Sequence, residues 1–247
     1  MTGGIVGVLL AGGNGIRLRP LTVVTNKHML RVGRFPMIEY PLKKMIQAGI
    51  TNIHVVTGGE NYQGVVKYLG SGSKWDVRIS YSIQDEAGGI AQALLLAEPF
   101  VNGNKMLVIL GDNIFAMDLS EIVSDFASAE ADSMATVFCK HSDNPERFGM
   151  LKYDRIDDEI LAIDVIEKPK EPVSDMILTG MYLYTPDVFD IIRGNKPSDR
   201  GELEITDVNR HYIKNSKCNI VKVRGGWTDA GTFETLLMAE QQVKEHI

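Results

Sequence analysis

Within the first 140 residues, short apolar runs alternate with stretches whose apolar residues recur at helical spacing, and this alternation constrains the fold more than any other feature of the chain. Runs at residues 4–10, 52–57, 77–81, 105–110 and 134–139 are rich in aliphatic side chains, as strands covered on both faces are. Helical patterns stand between them at 37–48, 62–69, 89–98 and 119–129. That order predicts βαβ units, hence an α/β fold with a mostly parallel central sheet and helices on both faces. Right-handed crossovers then bring the carboxyl ends of the strands to one edge, where ligands bind. After residue 150 the pattern changes. Runs at 151–153, 160–166 and 178–184 are joined by short polar turns and predict a smaller, inserted antiparallel section. Helices are expected at 187–193, at 204–215 and from 232 to the end. No linker is long or polar enough to separate domains. The expected organisation is one domain over 1–247, with halves at about 1–140 and about 141–230 and a C-terminal helix at 231–247.

The first strand runs into Gly12-Gly13-Asn14-Gly15, followed by Arg17, Arg19 and Lys27. Glycines at a strand end let backbone N–H groups converge on an anion, and arginines beyond them can clasp a phosphate through paired, charge-assisted hydrogen bonds. A polyphosphate loop is therefore expected, against the plainer reading of a glycine turn with solvated cations. A P-loop is excluded because no Lys-Ser or Lys-Thr pair follows the glycines. A dinucleotide fingerprint fails too: Leu18 stands where its third glycine belongs, and Pro20 breaks any helix.

A formal net charge of −6 argues against an extended nucleic-acid footprint, so cations for a phosphate ligand must be concentrated locally. Cys139 and Cys218 have no Cys or His at metal-ligand spacing and read as inert thiols, suiting a reducing cytoplasm better than a disulfide scaffold. The apolar run at 5–11 is interrupted by Gly7 and far too short to span a bilayer, so neither a targeting segment nor a membrane partner is expected.

Six blocks then carry a family resemblance: LAGGNGIRLRPLT with Lys27; Gln84-Asp85-Glu86-Ala87-Gly88-Gly89; Leu110-Gly111-Asp112-Asn113; Glu167-Lys168-Pro169; residues 200–207 (RGELEITD); and Trp227-Thr228-Asp229-Ala230-Gly231-Thr232. In this order they resemble the sugar-1-phosphate nucleotidylyltransferases, and among these the short-form glucose-1-phosphate thymidylyltransferases. The resemblance implies a Rossmann-like nucleotidyltransferase fold with a nucleotide-binding first half and a sugar-phosphate-binding second half. It also implies Mg²⁺ as cofactor, dTTP and glucose 1-phosphate as substrates, and a homo-oligomer, commonly a tetramer.

Residue by residue, the resemblance carries over Leu10, Gly12, Gly13, Gln84, Gly89 and Asp112 to the nucleotide. Arg17, Lys27 and Lys168 become the catalytic cations, and Gly149, Glu167, Lys168, Gly180 and Arg200 the sugar-phosphate contacts. Asp112 and Asp229 become the metal ligands. Read alone, each of these aspartates is more simply a turn or capping residue. Together they make sense around a divalent cation, because two carboxylates about 4 Å apart otherwise repel. Gln84 offers one acceptor and two donors for a pyrimidine edge, with Gly88 and Gly89 admitting the base. Where the family usually has proline after Lys-x-x-Leu this chain has Arg31, which is expected to loosen or re-aim the turn after the Lys27 segment and to add charge near the nucleotide loop. His28 reads as a solvated or capping histidine.

The expected reaction is nucleotidyl transfer from dTTP to glucose 1-phosphate, giving dTDP-glucose and pyrophosphate. The alternatives are the same chemistry with UTP or another hexose 1-phosphate, and a catalytically weak paralogue that binds nucleotide sugars. An NAD-dependent oxidoreductase is the weakest reading, given the missing third glycine.

Overall fold

The computed structural model describes residues 4–59, 61–130, 133–156 and 159–246. The first half contains β1 (Ile5–Ala11), the small hairpin β2 (Arg31–Val32) and β3 (Phe35–Pro36), α1 (Glu39–Gln47), β4 (Asn52–Gly58) and α2 (Gln63–Leu69). It continues through β5 (Arg78–Gln84), α3 (Ile90–Leu95), α4 (Glu98–Val101), β6 (Lys105–Leu110), β7 (Asn113–Phe115), α5 (Ser120–Ser128) and β8 (Ala135–His141). The second half contains β9 (Gly149–Ile156), β10 (Glu159–Glu167), β11 (Met176–Tyr184), α6 (Val188–Gly194) and α7 (Ile205–Lys214). Last come β12 (Cys218–Lys222), β13 (Trp227–Asp229) and α8 (Phe233–His246). The predicted elements are all present within a few residues of their expected ends, although the 89–98 pattern is divided between α3 and α4. Ile247, at the end of the expected last helix, lies outside the described residues.

Strands β6, β1, β4 and β5 are parallel neighbours and place their carboxyl ends on one edge, as the βαβ pattern requires. The alternation of side chains along each strand divides the core in two. Val6, Val8 and Leu10 of β1, with Met106 and Val108 of β6, face a layer containing α3, α4, α6 and α7. Ile5, Leu9 and Ala11, with Leu107 and Ile109, face the opposite layer of α1, α2 and α5. Both faces are covered, which explains the near-continuous apolar runs.

The antiparallel section is not a separate insertion. Its strands extend the same sheet, in the order β10-β9-β11-β6-β1-β4-β5, with β8 beside β11 and β12 beside β8. On one side β11 follows β8, with a register shift between Leu178 and Tyr182. On the other side it pairs β6 only from Met181 to Tyr184 and touches β9 at Ile177. The sheet therefore forks near Thr179 and Gly180, and the fork opens toward the carboxyl edge of β6. Strands β12, β7 and β13 give little apolar signal in the sequence, because all are short and β12 and β13 are partly exposed.

Among the described residues no helix is long and apolar enough to cross a membrane. Cys139 is buried, Cys218 partly so, and both are free thiols.

Leu9, fully buried in the centre of β1, tests the two-layer core. Leu9→Ala is expected to cost 2–5 kcal/mol, roughly, through lost burial and the cavity left behind. Urea unfolding measures it, and a loss well under 1 kcal/mol would mean that β1 is not the packed centre.

Candidate active site

The carboxyl edge and the fork enclose a cavity of about 590 Å³. Its lining includes every site residue expected from the sequence: Leu10, Gly12, Gly13, Arg17, Lys27, Gln84, Gly89, Asp112, Gly149, Glu167, Lys168, Gly180, Arg200 and Asp229. Arg19, the second cation of the first loop, is exposed and does not line it.

The two aspartates are brought together by backbone pairing. In the β7–β13 ribbon Asp229 stands opposite Asn113, and the Ala230 N–H donates to the Asp112 carbonyl at 2.8 Å. Asp112 is buried, which opposes its charge, yet the Lys27 ammonium at 2.6 Å holds its carboxyl well below the usual range. Asp229 has no such close partner. Burial first, then the neighbouring Asp112 charge, push its carboxyl up to about 6, despite Arg147, Arg17 and Lys27 nearby. The Arg17 guanidinium lies against Gly231, with Nη2 3.2 Å from where a Cβ would stand.

This donor set fits a hard divalent cation. Two carboxylates with an uncompensated charge face one cavity, and among the described residues no His, Cys, Asp or Glu completes a trio. Such a pair suits an ion that takes its other ligands from phosphate oxygens and water.

On the nucleotide side, Gln84 ends β5 and is buried. Its Nε2 donates to Gln92 Oε1 at 2.7 Å and more weakly to the Gly89 carbonyl at 3.3 Å. The amide is thereby oriented, with Oε1 turned toward Gly12, where a Cβ would stand 2.6 Å from it. Gly89 lines the cavity, and its lack of a side chain also serves packing. It adopts φ +98°, and a Cβ there would meet the Leu203 carbonyl at 2.5 Å, so the glycine lets the 202–203 segment cross the loop. Gly88 accepts from the Leu203 N–H at 2.8 Å in the same crossing.

On the opposite side, Glu167 accepts from Lys168 Nζ at 2.8 Å, Arg200 Nη2 at 3.2 Å and Thr206 Oγ1 at 2.5 Å. Arg200 also pairs with Glu202 and, through two oxygens, with Glu204, so its guanidinium is held by three carboxylates. Gly149 packs against Thr206 and Glu167, while the Gly180 N–H donates to Asn113 Oδ1 at 2.9 Å.

Two expectations are corrected. His28 is neither solvated nor a cap: it is 1% exposed, its Nδ1–H donates to Asn26 Oδ1 at 2.8 Å, and its ring packs beside Gly111. Burial and the Lys27 charge lower its pKa to about 3, so it is neutral at physiological pH. Arg31 does not bring charge to the nucleotide loop. Its side chain is 75% exposed and points to Glu240 of α8 at 3.9 Å, while its backbone pairs with Pro36 in the β2–β3 hairpin. In the turn at Lys27–Met29 the Leu30 N–H donates to the Lys27 carbonyl at 3.1 Å.

Three lining or supporting residues escape sequence reasoning. Asn113 is 2% exposed and joins the two halves: its Oδ1 accepts from Gly180 N–H and from Trp227 Nε1 at 2.8 Å, and its Nδ2 donates to Asp112. Gln92 orients Gln84. Arg147 reaches the cavity from the turn before β9, with Nη2 3.9 Å from Asp229 Oδ2. Asn113 follows Asp112 in a quoted block, but nothing in the spacing shows that it reaches β11; for Gln92 and Arg147 there is no local signal.

The raised Asp229 carboxyl has a measurable consequence. A group at 3.8 unfolded and about 6 folded binds more protons when folded, so its penalty is absent at low pH and complete above pH 6. Asp229→Asn should stabilise metal-free protein at pH 7 by about 2–3 kcal/mol, taking 1.36 kcal/mol per pKa unit, and the gain should shrink toward pH 4.5. Urea unfolding in EDTA checks this, and a destabilised Asn variant at pH 7 would contradict it.

Comparison with known proteins gives the family. A family model described as "Nucleotidyl transferase" matches residues 6–246. Glucose-1-phosphate thymidylyltransferase of Neisseria meningitidis serogroup A is 38% identical over 232 residues, covering 93% of this chain and 79% of its own. A crystal structure from Bacillus anthracis, described as a glucose-1-phosphate thymidylyltransferase in complex with a sucrose, superposes with a TM-score of 0.88. It has 47% identity and covers 96% of this chain and 94% of its own. A UDP-glucose pyrophosphorylase complexed with UDP-glucose shares the fold at a TM-score of 0.86 and 24% identity, over 98% of this chain and 99% of its own. The cavity, its two facing acids and these matches place the chain in the nucleotidyl transferase family.

Proposed function

We propose that the protein transfers the thymidylyl group of dTTP to glucose 1-phosphate, producing dTDP-glucose and pyrophosphate. The observation that carries this reading is the meeting of three groups in one cavity. The Gly12-Gly13 loop and Gln84 lie on one side, Glu167 and Lys168 on the other, and Asp112 with Asp229 also line it. The relatives named glucose-1-phosphate thymidylyltransferase support the choice of substrates.

A phosphate oxygen of glucose 1-phosphate attacks the α-phosphorus of dTTP. The new P–O bond forms as the bond from the α-phosphorus to the bridging oxygen breaks, and pyrophosphate leaves with the electron pair. The attacking phosphate is already anionic at neutral pH, so the protein needs no general base. Its task is positioning and neutralisation. Lys27 and Arg17 take the triphosphate, and Lys168, on the strand end of β10, takes the sugar phosphate. Glu167, already an acceptor of three donors, is placed to accept from sugar hydroxyls. Mg²⁺ held by Asp112 and Asp229 would supply charge neutralisation at the phosphates.

Base selection follows from the orientation of Gln84. With Nε2 occupied by Gln92, Oε1 is the free acceptor, and it matches the N3–H shared by thymine and uracil. Cytosine presents a lone pair at the same position and is rejected. Thymine differs from uracil by a methyl group, worth about 0.8 kcal/mol, or roughly fourfold. The homo-oligomeric, tetrameric state and the cytoplasmic setting that the free thiols suit belong to the same proposal.

Pyrophosphate release with glucose 1-phosphate and Mg²⁺ is expected to be fastest with dTTP and a few-fold slower with UTP. It should be at least about 10²-fold slower with CTP, where buried polar groups are left mismatched. Equal rates with CTP would overturn the role of Gln84. No release with any nucleotide, from folded protein that binds dTTP, would support the binding-paralogue reading instead.

A further inference from the structure

Arg147 lines the cavity beside Arg17, Lys27 and Lys168, but the reading above gives it no role. It closes the one-turn helix Pro145–Arg147, fixed at its start by a buried proline and at its end by the Phe148 N–H, which donates to the Pro145 carbonyl at 3.1 Å. The next residue ties this turn to both halves of the site. The Phe148 carbonyl accepts from the Lys168 N–H at 3.0 Å, and the Phe148 ring packs edge-on against Trp227, two residues before Asp229, at 5.6 Å. Arg147 is thus built in between the proposed sugar-phosphate cation and the proposed metal ligands.

Its guanidinium is incompletely satisfied. Nη2 is buried yet has no hydrogen-bond partner. The nearest acid, Asp229, is 3.9 Å away, too far for a hydrogen bond. The contrast with neighbouring cations is informative. Lys27 is paired with Asp112, Lys168 with Glu167, and Arg200 with three glutamates. A buried donor on a charged group is costly to leave unmade, and a planar fork matches phosphoryl oxygens.

We propose that Arg147 is a catalytic residue whose guanidinium, at the cavity wall, donates to an oxygen of the phosphoryl group in transfer. The inference rests on the nucleotidyl-transfer reading. It follows from the placement of Arg147 between Lys168 and Asp229, where the transferred phosphorus must pass from one oxygen to another. In dTTP the α-phosphoryl carries one negative charge over its non-bridging oxygens. As attack proceeds, charge from the incoming phosphate adds to it, so the contact strengthens in the transition state.

The test is steady-state kinetics of Arg147→Gln and Arg147→Lys, first at the Mg²⁺ concentration that saturates the unaltered protein and then at higher Mg²⁺, with both substrates varied. Loss of one preorganised donor to a developing anion is expected to lower kcat by about 10²–10³-fold. The KM for dTTP should stay within about threefold, because the contact strengthens only in the transition state. Arg147→Lys should recover roughly tenfold, keeping the charge but losing the fork. Wild-type kcat in Arg147→Gln would overturn the proposal. A loss restored by raising Mg²⁺ would also overturn it, since Arg147 would then act only by positioning Asp229. Thermal melting verifies folding; if the Gln variant does not fold, Arg147→Lys and Arg147→Met are judged by the same criteria. An unaltered protein inactive with dTTP and glucose 1-phosphate would overturn the nucleotidyl-transfer reading itself, whereas active wild type with active Arg147→Gln overturns only this inference.

Discussion

The site is organised around two carboxylates that the backbone forces to share one cavity. The pairing of Asn113–Phe115 with Trp227–Asp229 sets Asp229 beside Asp112, although 116 positions separate them in sequence. In isolation that arrangement is unfavourable. Lys27 relieves Asp112, while Asp229 remains raised toward neutrality by burial and by its neighbour. A protein that keeps such a pair beside a ring of cations is built to receive further charge of both signs. A divalent cation with a polyphosphate meets that description.

The rest of the fold delivers groups to this pair. The parallel strands β1, β5 and β6 bring the glycine loop, Gln84 and Asp112 to one edge, as any doubly wound sheet would. The less general feature is the fork in β11. Because β11 touches β9 at Ile177 and joins β6 only from Met181 onward, a second half can present Glu167, Lys168 and Gly180 to the same space without a separate domain. Asn113 locks the fork open by bonding Gly180, Trp227 and Asp112 at once. One buried amide thereby couples the sugar side, the metal side and the ribbon.

The fold class was legible because its evidence is periodic. Strands covered on both faces read as apolar runs, and amphipathic helices between them leave little choice of topology. The candidate site was legible as a set of residues through its motif blocks, and all fourteen positions line the cavity. What the sequence does not show are side-chain destinations. His28 looks solvated beside Lys27, but the one-turn helix at Lys27–Met29 directs it inward, where burial keeps it neutral. Arg31 looks like an addition to the nucleotide loop, but the hairpin aims it at Glu240. Gly89 lines the cavity as its block implies, but that its positive φ and missing Cβ also admit Leu203 is not legible. Each case depends on a partner more than 80 positions away or on a local turn of three residues. Spacing carries no information about either.

The central claim is that one cavity passes a nucleotidyl group directly from triphosphate to sugar phosphate, with no covalent stop on the protein. The most direct measurement uses dTTP carrying sulfur in place of one non-bridging α-oxygen, as a single stereoisomer, with glucose 1-phosphate. The configuration of the sulfur-substituted nucleotide sugar is then determined by phosphorus NMR. Direct in-line attack predicts that product with inversion at the α-phosphorus. Retention would mean two displacements and a covalent nucleotidyl-protein intermediate, which would contradict the account.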